Sequence, residues 1–303
     1  MRVSTAQYQT IMNQSLNLNQ GSLATLTQQM ASGNRILLPS DDPIATVQLS
    51  RLNREVADTT QYQSNITTVQ ARMALSETYM QSTVNDMESA KDALVQASNG
   101  TNSSADLNAQ VNTLTSLSQS ILTAANTTDA EGNYIFSGTL TTTPAITYDA
   151  TAPIGSRYTY TGNTADQTVV VGNSITQTAN SNMQGMDTYL NQLDSAISVL
   201  STPGVALTAD NSAVLATALA GTDTELGQMA SQIAVLGGAQ NTLTTLNTNY
   251  SNVNLANQTA ATNIGALDYA SAATQLSGYT TALQASYKAY AVIGKLSLFN
   301  ELP

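Results

Sequence analysis

From Ile66 to Ala97 the chain reads ITTVQARMALSETYMQSTVNDMESAKDALVQA, and within it Ile66, Met73, Met80, Met87 and Leu94 recur every seven residues. Val69, Ser76, Thr83, Ala90 and Ala97 each follow three residues later. Alternating steps of three and four put all ten side chains on one face of an α-helix, large against small, which is how helices pack along a seam. No proline lies between Pro43 and Pro144, or between Pro203 and Pro303, so neither stretch contains a residue that must break a helix. A helix continuous from Ile44 to Ser98 would be roughly 80 Å long at about 1.5 Å per residue. The expected fold is mainly α, an elongated helical rod.

Outward from that seam, Asn99-Gly100 reads as a helix end. Leu107, Val111, Leu114, Ser118, Ile121 and Ala125 then repeat the spacing, predicting a second helix folded back along the first. Met186, Leu190, Leu193, Ile197 and Leu200 predict a shorter helix ended by Pro203-Gly204. Leu226, Met229, Ile233, Leu236 and Leu243 predict another that extends as far as Asn257, with Gly237-Gly238 as its weak point. Between these the period changes. Tyr158-Thr159-Tyr160-Thr161 and Gln167-Thr168-Val169-Val170-Val171 are β-branched and aromatic, flanked by Gly162-Asn163 and Gly172-Asn173, and predict a small β-rich insertion projecting from the rod.

Composition narrows the functional classes. Of 303 residues only 9 are basic and 20 acidic, and the net charge of −11 opposes binding to a phosphate backbone, so no nucleic-acid partner is expected. There is no Cys and no His, which removes disulfides, thiolate nucleophiles, the commonest general base and the usual zinc ligands. No catalytic residue, cofactor or metal site is expected. The first residues lack the apolar run of a signal peptide, and no 18-residue apolar span predicts membrane insertion.

The charges are unevenly placed. None occurs from Val3 to Asn34, and from Gly227 onward there are only Asp268, Lys288, Lys295 and Glu301. Both regions are nevertheless amphipathic. Leu23, Leu26 and Met30 near the start, and Tyr269, Ala272, Leu276, Tyr279, Leu283, Ser286, Tyr290 and Ile293 near the end, keep the 3,4 spacing. An ordinary bundle would produce the same seams, but its solvated faces are normally charged. Here those faces carry Ser, Thr, Gln, Asn, Ala and Gly, which suits packing against further helices. Leu23, Leu26, Met30, Leu276, Tyr279, Leu283, Tyr290 and Ile293 are therefore the predicted assembly interface. Both ends are expected to be largely disordered in a monomer and to fold on assembly.

Asp41-Asp42 is the most conspicuous acidic pair, and paired carboxylates can do acid-base work or hold a hard cation. Ser40-Asp41-Asp42-Pro43 reads better as a helix start, with Asp42 as N-cap, Pro43 at the first helical position and Arg35 near enough to answer the carboxylates across a turn. Arg35, Asp41, Asp42 and Pro43 are thus expected to form a structural elbow. Asp129-Ala130-Glu131-Gly132-Asn133 has a faint calcium-loop look but lacks the alternation and terminal Glu, and is read as a turn leading into a strand, Tyr134-Ile135-Phe136.

Four passages carry a resemblance. They are Met1-Arg2-Val3-Ser4-Thr5; Ser32-Gly33-Asn34-Arg35-Ile36 with Pro39-Ser40-Asp41-Asp42-Pro43; Ala125-Asn126-Thr127-Thr128-Asp129 with Gly132-Asn133-Tyr134-Ile135-Phe136-Ser137-Gly138; and Leu283-Gln284-Ala285-Ser286-Tyr287-Lys288-Ala289-Tyr290 with Leu296-Ser297-Leu298-Phe299. Together they resemble the flagellin superfamily, on the side of its hook-associated junction proteins. The Pro39 and Pro43 elbow and the Leu296-to-Phe299 ending argue against a filament flagellin.

The resemblance implies paired N- and C-terminal coiled-coil helices in an axial core (residues 1–35 and 265–303), a helical rod domain (36–137 and 184–264) and a β-rich outer domain (138–183). It implies an extracellular structural subunit of the bacterial flagellum, exported without a cleaved signal. Its partners would be copies of itself in a ring, flagellin, the other hook-associated junction protein and a flagellar export chaperone. A peptidase carried in the variable region would need a His-Glu-x-x-His motif, which a chain without histidine lacks. A cytoplasmic coiled-coil tether fits the uncharged termini poorly.

Overall fold

A computed structural model describes residues 2–99, 102–202 and 208–299, with side chains described from residue 7 to residue 292 within those ranges. In chain order the elements are α1 (Arg2–Ser32), α2 (Pro43–Ala97), α3 (Ser104–Ala125), β1 (Ile146–Tyr148), β2 (Tyr158–Tyr160), β3 (Thr168–Gly172), β4 (Ile175–Thr178), α4 (Met186–Leu200), α5 (Ala209–Gly265) and α6 (Tyr269–Phe299). The expected mainly helical fold with a small β part is what the chain adopts. Its residues group into two compact units, 1–58 with 251–303, and 59–250.

The larger unit is built on the seam of α2. Ile66, Val69, Met73, Ser76, Met80, Thr83, Met87, Ala90, Leu94 and Ala97 are all buried. α3 runs antiparallel to α2, as Ser120 donating to Asp86 (2.6 Å) and Gln110 donating to Gln96 (3.0 Å) show. It buries Leu107, Leu114, Ser118, Ile121 and Ala125. Its start is a capping box: the Asp106 N–H donates to Ser103 Oγ, and the Ser103 N–H donates to Asp106 Oδ2 at 3.0 Å.

α5 is antiparallel to α2 as well. Lys91 pairs with Asp223 (2.6 Å), Gln240 donates to Glu77 (2.9 Å) and Gln70 donates to Thr244 (3.0 Å). The sequence placed the end of this helix at Asn257. It runs instead to Gly265, 57 residues in all, straight through Gly237-Gly238. A Cβ at either glycine would meet no atom within 4 Å, so nothing there requires a glycine. Alanine at both positions is expected to stabilise the protein by about 1 kcal/mol each in thermal unfolding.

Among the described residues four short strands form two separate antiparallel hairpins, β1–β2 and β3–β4. β2 and β3 were predicted; β1 and β4 were not. Tyr134-Ile135-Phe136 is not a strand. The Tyr134 N–H donates to Thr141 O (2.8 Å) and the Ile135 N–H to Thr127 O (3.2 Å), while the Ile135 and Phe136 side chains are buried. Loop carbonyls satisfy this backbone, and the apolar side chains that suggested a strand serve as plugs in the core.

An isolated two-stranded hairpin is marginal in water, and side-chain amides support the edges of β1–β2. Asn126 donates to Ile146 O (2.7 Å) and accepts from Ile146 N–H (2.9 Å), closing the outer edge of β1. Along the outer edge of β2, Asn191 on α4 accepts from Tyr158 N–H (2.9 Å) and donates to Tyr158 O (2.8 Å). One turn earlier Asp187 accepts from Tyr160 N–H (3.2 Å), and one turn later Asp194 pairs with Arg157 (3.3 Å). The β3–β4 hairpin is tied by Asn65 on α2, which donates to Val170 O (2.7 Å), and by Tyr250 on α5, which donates to Val171 O (3.0 Å). The predicted helix end at Pro203-Gly204 lies outside the described residues.

Candidate functional site

The smaller unit holds every residue singled out for assembly or for the elbow. α1 and α6 lie antiparallel: the Tyr269 hydroxyl donates to Met30 O (3.0 Å) at one end, and Gln20 Nε2 donates to the Tyr287 hydroxyl (2.7 Å) further along. On α1 the seam reaches further than the sequence reading took it, through Leu16 and Met12. Leu16, Leu26, Ala272 and Leu283 are buried; Leu23, Met30, Leu276 and Tyr279 are half-buried. Tyr290 remains 45% exposed, and the side chain of Ile293 lies outside the described residues.

What the seam leaves outside is unusual. Leu18 is 72% exposed, and Tyr8, Ile11, Tyr287 and Val292 are each close to half exposed or more. Asn17, Leu18, Gly21, Ser22, Thr25, Leu26 and Gln29 of α1 line a cleft of about 460 Å3 with Gln275 and Tyr279 of α6, and none of these side chains is charged.

The hydroxyls on these faces turn inward. Thr25 donates to Gly21 O (3.1 Å), Thr27 to Leu23 O (2.8 Å), Thr274 to Ala270 O (3.0 Å) and Thr281 to Ser277 O (2.8 Å). A threonine bonded in this way satisfies its donor within its own helix and competes little for water.

Residues 33–35, where the elbow is expected, hydrogen-bond to residues 264–267 and so link the two chain segments of this unit. α1 stops at Gly33, whose φ of 72° is left-handed and whose N–H donates to Gln29 O (2.8 Å). The next residues form a short antiparallel bridge with the end of α5 and the link that leads into α6. Arg35 N–H donates to Gly265 O (2.8 Å), Leu267 N–H donates to Gly33 O (2.9 Å), and Asn34 pairs with Ala266. The Arg35 guanidinium donates to Ile264 O (3.1 Å from Nη2) and pairs with Asp42 Oδ2 (3.1 Å).

Asp42 Oδ1 accepts the Ala45 N–H (3.0 Å), so Asp42 caps α2 with Pro43 at its first position. That backbone bond, and then Arg35, hold the Asp42 carboxyl below the usual carboxylate range. Asp41 does not meet Arg35; its Oδ2 accepts the N–H groups of Leu37 (3.0 Å) and Leu38 (2.8 Å). Asp42→Ala is expected to fray the first turn of α2 and leave the Arg35 guanidinium held by Ile264 O alone, read as faster amide exchange at residues 44–47.

Asp129 is likewise committed locally, its Oδ1 accepting from Glu131 N–H (3.0 Å) and Asn133 N–H (2.8 Å). Among the described residues no group of three or more His, Cys, Asp or Glu is placed to hold a metal, and no helix is long and apolar enough to cross a membrane.

Residues 3–141 match the bacterial flagellin N-terminal helical region, and residues 219–301 the bacterial flagellin C-terminal helical region. Over 294 residues the chain is 31% identical to the flagellar hook-associated protein 3 of Escherichia coli K12, spanning 90% of each protein. The chain belongs to the flagellar hook-associated protein 3 family. The Salmonella typhimurium member is 28% identical over 314 residues, spanning 99% of each. A solved Vibrio parahaemolyticus structure described as a flagellar hook-associated protein superposes with a TM-score of 0.69 at 27% identity, over 75% of this chain and 100% of that one. The Legionella pneumophila hook-associated protein 3 shares the fold, with a TM-score of 0.60 at 14% identity over 71% of this chain and 99% of its own. The family places the chain among structural proteins of the bacterial flagellum, associated with other flagellar components.

Proposed function

We propose that the protein is an adaptor at the hook–filament junction, where identical copies form a ring through α1 and α6. The observation that carries this reading is the terminal helix pair. It buries a narrow seam and leaves Ile11, Leu18, Tyr287 and Val292 exposed on faces with almost no charge. Neighbouring helices would cover those residues with little charge to desolvate, and α1 and α6 acquire their full stability only when they do.

In this reading residues 1–35 and 265–303 form the axial core, 36–137 and 184–264 the rod, and 138–183 the outer β part. Leu23, Leu26, Met30, Leu276, Tyr279, Leu283, Tyr290 and Ile293 belong to the core's assembly interface. Arg35, Asp41, Asp42 and Pro43 set the elbow that joins core to rod. The ring has the other hook-associated junction protein on one side and flagellin on the other. The subunit reaches this extracellular position by export in unfolded form, its C-terminal region met in the cell by a chaperone, and it performs no catalysis.

Deleting the gene tests the proposal. Hooks should remain without filaments while flagellin is released as monomer, and immunogold should place the protein where hook meets filament. Filaments of normal length in the deletion strain would refute the adaptor role, and label along the whole filament would favour a flagellin.

A further inference from the structure

A pocket of about 320 Å3 lies between α4 and α5 in the larger unit, lined by Gly185, Thr188, Tyr189 and Gln192 on one side and by Thr217, Gly221, Glu225 and Gln228 among those on the other. Its lining holds no Lys or Arg. Glu225 is only 3% exposed, yet its Oε1 has no hydrogen-bond partner among the described residues, and neither has Gln192 Oε1. A carboxylate removed from water without a partner is costly, and most proteins avoid it.

The space around these oxygens depends on two glycines. A Cβ on Gly185, whose φ is 103°, would lie 2.9 Å from Glu225 Oε2 and 3.0 Å from Gln228 Oε1. One on Gly221 would overlap Gln192 Oε1. The Thr217 and Thr224 hydroxyls give their protons to Ala213 O and Ala220 O, both at 2.8 Å, leaving only lone pairs for the pocket. Among the described residues the lining holds two buried oxygens without a partner, one of them a carboxylate's, against one unpaired buried donor, the neutral Tyr189 hydroxyl, and it lacks a cation to answer the carboxylate.

We propose that this pocket binds a single organic cation, an ammonium or guanidinium group, which Glu225 pairs with its charge while Gln192 and Gln228 accept its remaining hydrogen bonds. A hard divalent ion is the poorer fit, because it calls for six or more oxygens and usually several carboxylates. A guanidinium offers the planar fork that a carboxylate accepts side by side. The group can arrive on a free small molecule or on a Lys or Arg side chain of another copy of this chain.

Full-length protein near pH 8 is titrated with agmatine and with n-butylammonium, against potassium chloride at matched ionic strength. Thermal stability and amide shifts at residues 185–192 and 217–228 are followed. At least one of the two cations should bind saturably to the wild-type protein, at least about tenfold more weakly to Glu225→Gln, and weakly near pH 5, where the carboxyl is protonated. Gln192→Leu should weaken binding less while leaving the carboxylate in place. The carboxyl 13C shift of Glu225 in assembled protein without added amine separates the sources: a carboxylate that stays charged at pH 6 only on assembly identifies a neighbouring copy as the donor. Equal effects in Glu225→Gln, or with potassium chloride alone, would overturn the site. So would no response to either cation combined with an unchanged Glu225 titration on assembly.

Discussion

Met80→Ala is expected to destabilise the larger unit by about 2–5 kcal/mol, a large part of what a domain of this size has to lose. Met80 is fully buried near the middle of the α2 seam, between Met73 and Met87, and belongs to the same apolar cluster as α3, α4 and α5. Shortening it opens a cavity that neighbours held in a continuous 55-residue helix close poorly by collapse. Val95 provides the contrast on the same helix. It is 54% exposed, and Val95→Ala should change stability by no more than about 0.5 kcal/mol. Chemical denaturation with amide exchange at residues 66–97 measures both, and equal effects at the two positions would mean that the seam does not organise the unit.

The second large effect is a pH dependence of unusual sign. Burial, and then the nearby Asp187 charge, push the Glu225 carboxyl up to about 7 from an ordinary value of 4.5. The folded protein therefore binds this proton more tightly than the unfolded chain does. Stability contributed by this group is full below about pH 4.5, falls as pH rises toward 7, and is flat above it, a loss of about 3 kcal/mol. Most carboxylates that are paired in the native state act the other way and stabilise as pH rises. Glu225→Gln should remove the dependence and raise stability near pH 8 while changing little near pH 4. Amide exchange along residues 215–232, compared at the two pH values, reads the effect locally. A variant no more stable than wild type near pH 8 would show that the carboxylate is already compensated.

The long helices were legible because periodicity is a local property that solvent exposure enforces. Ten seam residues of α2, read from spacing alone, are all buried. The start of α2 was legible for the same reason: Asp42 and Pro43 act on the next turn of their own helix. Elements decided by distant partners were not legible. β1 exists because Asn126 and β2 hold it from either side, and nothing in Ile146-Thr147-Tyr148 announces that. Tyr134-Ile135-Phe136 has the composition of a strand and the hydrogen bonds of a loop. Gly237-Gly238, the expected weak point of α5, lies within the continuous helix, since two poor helix formers are outweighed by a helix anchored along its length. The Ser103-to-Asp106 capping box was available in the sequence as a start signal for α3 and was passed over. Glu225 could not have been found, because its interest lies in an environment assembled from two helices.

Where α4 meets β2, two kinds of backbone regularity come into step. Four residues of helix advance about 6 Å, and two residues of strand advance about 6.6 Å, so Asp187 and Asn191 fall opposite Tyr160 and Tyr158 with almost no mismatch. Such a match behaves like a vernier. One residue inserted into the strand would break this register, whereas one added at the tip of its hairpin, around Thr151 and Ala152, would leave Asp187 and Asn191 in place and reach α4 only through Arg157, which donates to Ala152 O and pairs with Asp194. Length variation among relatives should accordingly accumulate at that tip and be absent from residues 157–160 and 187–194.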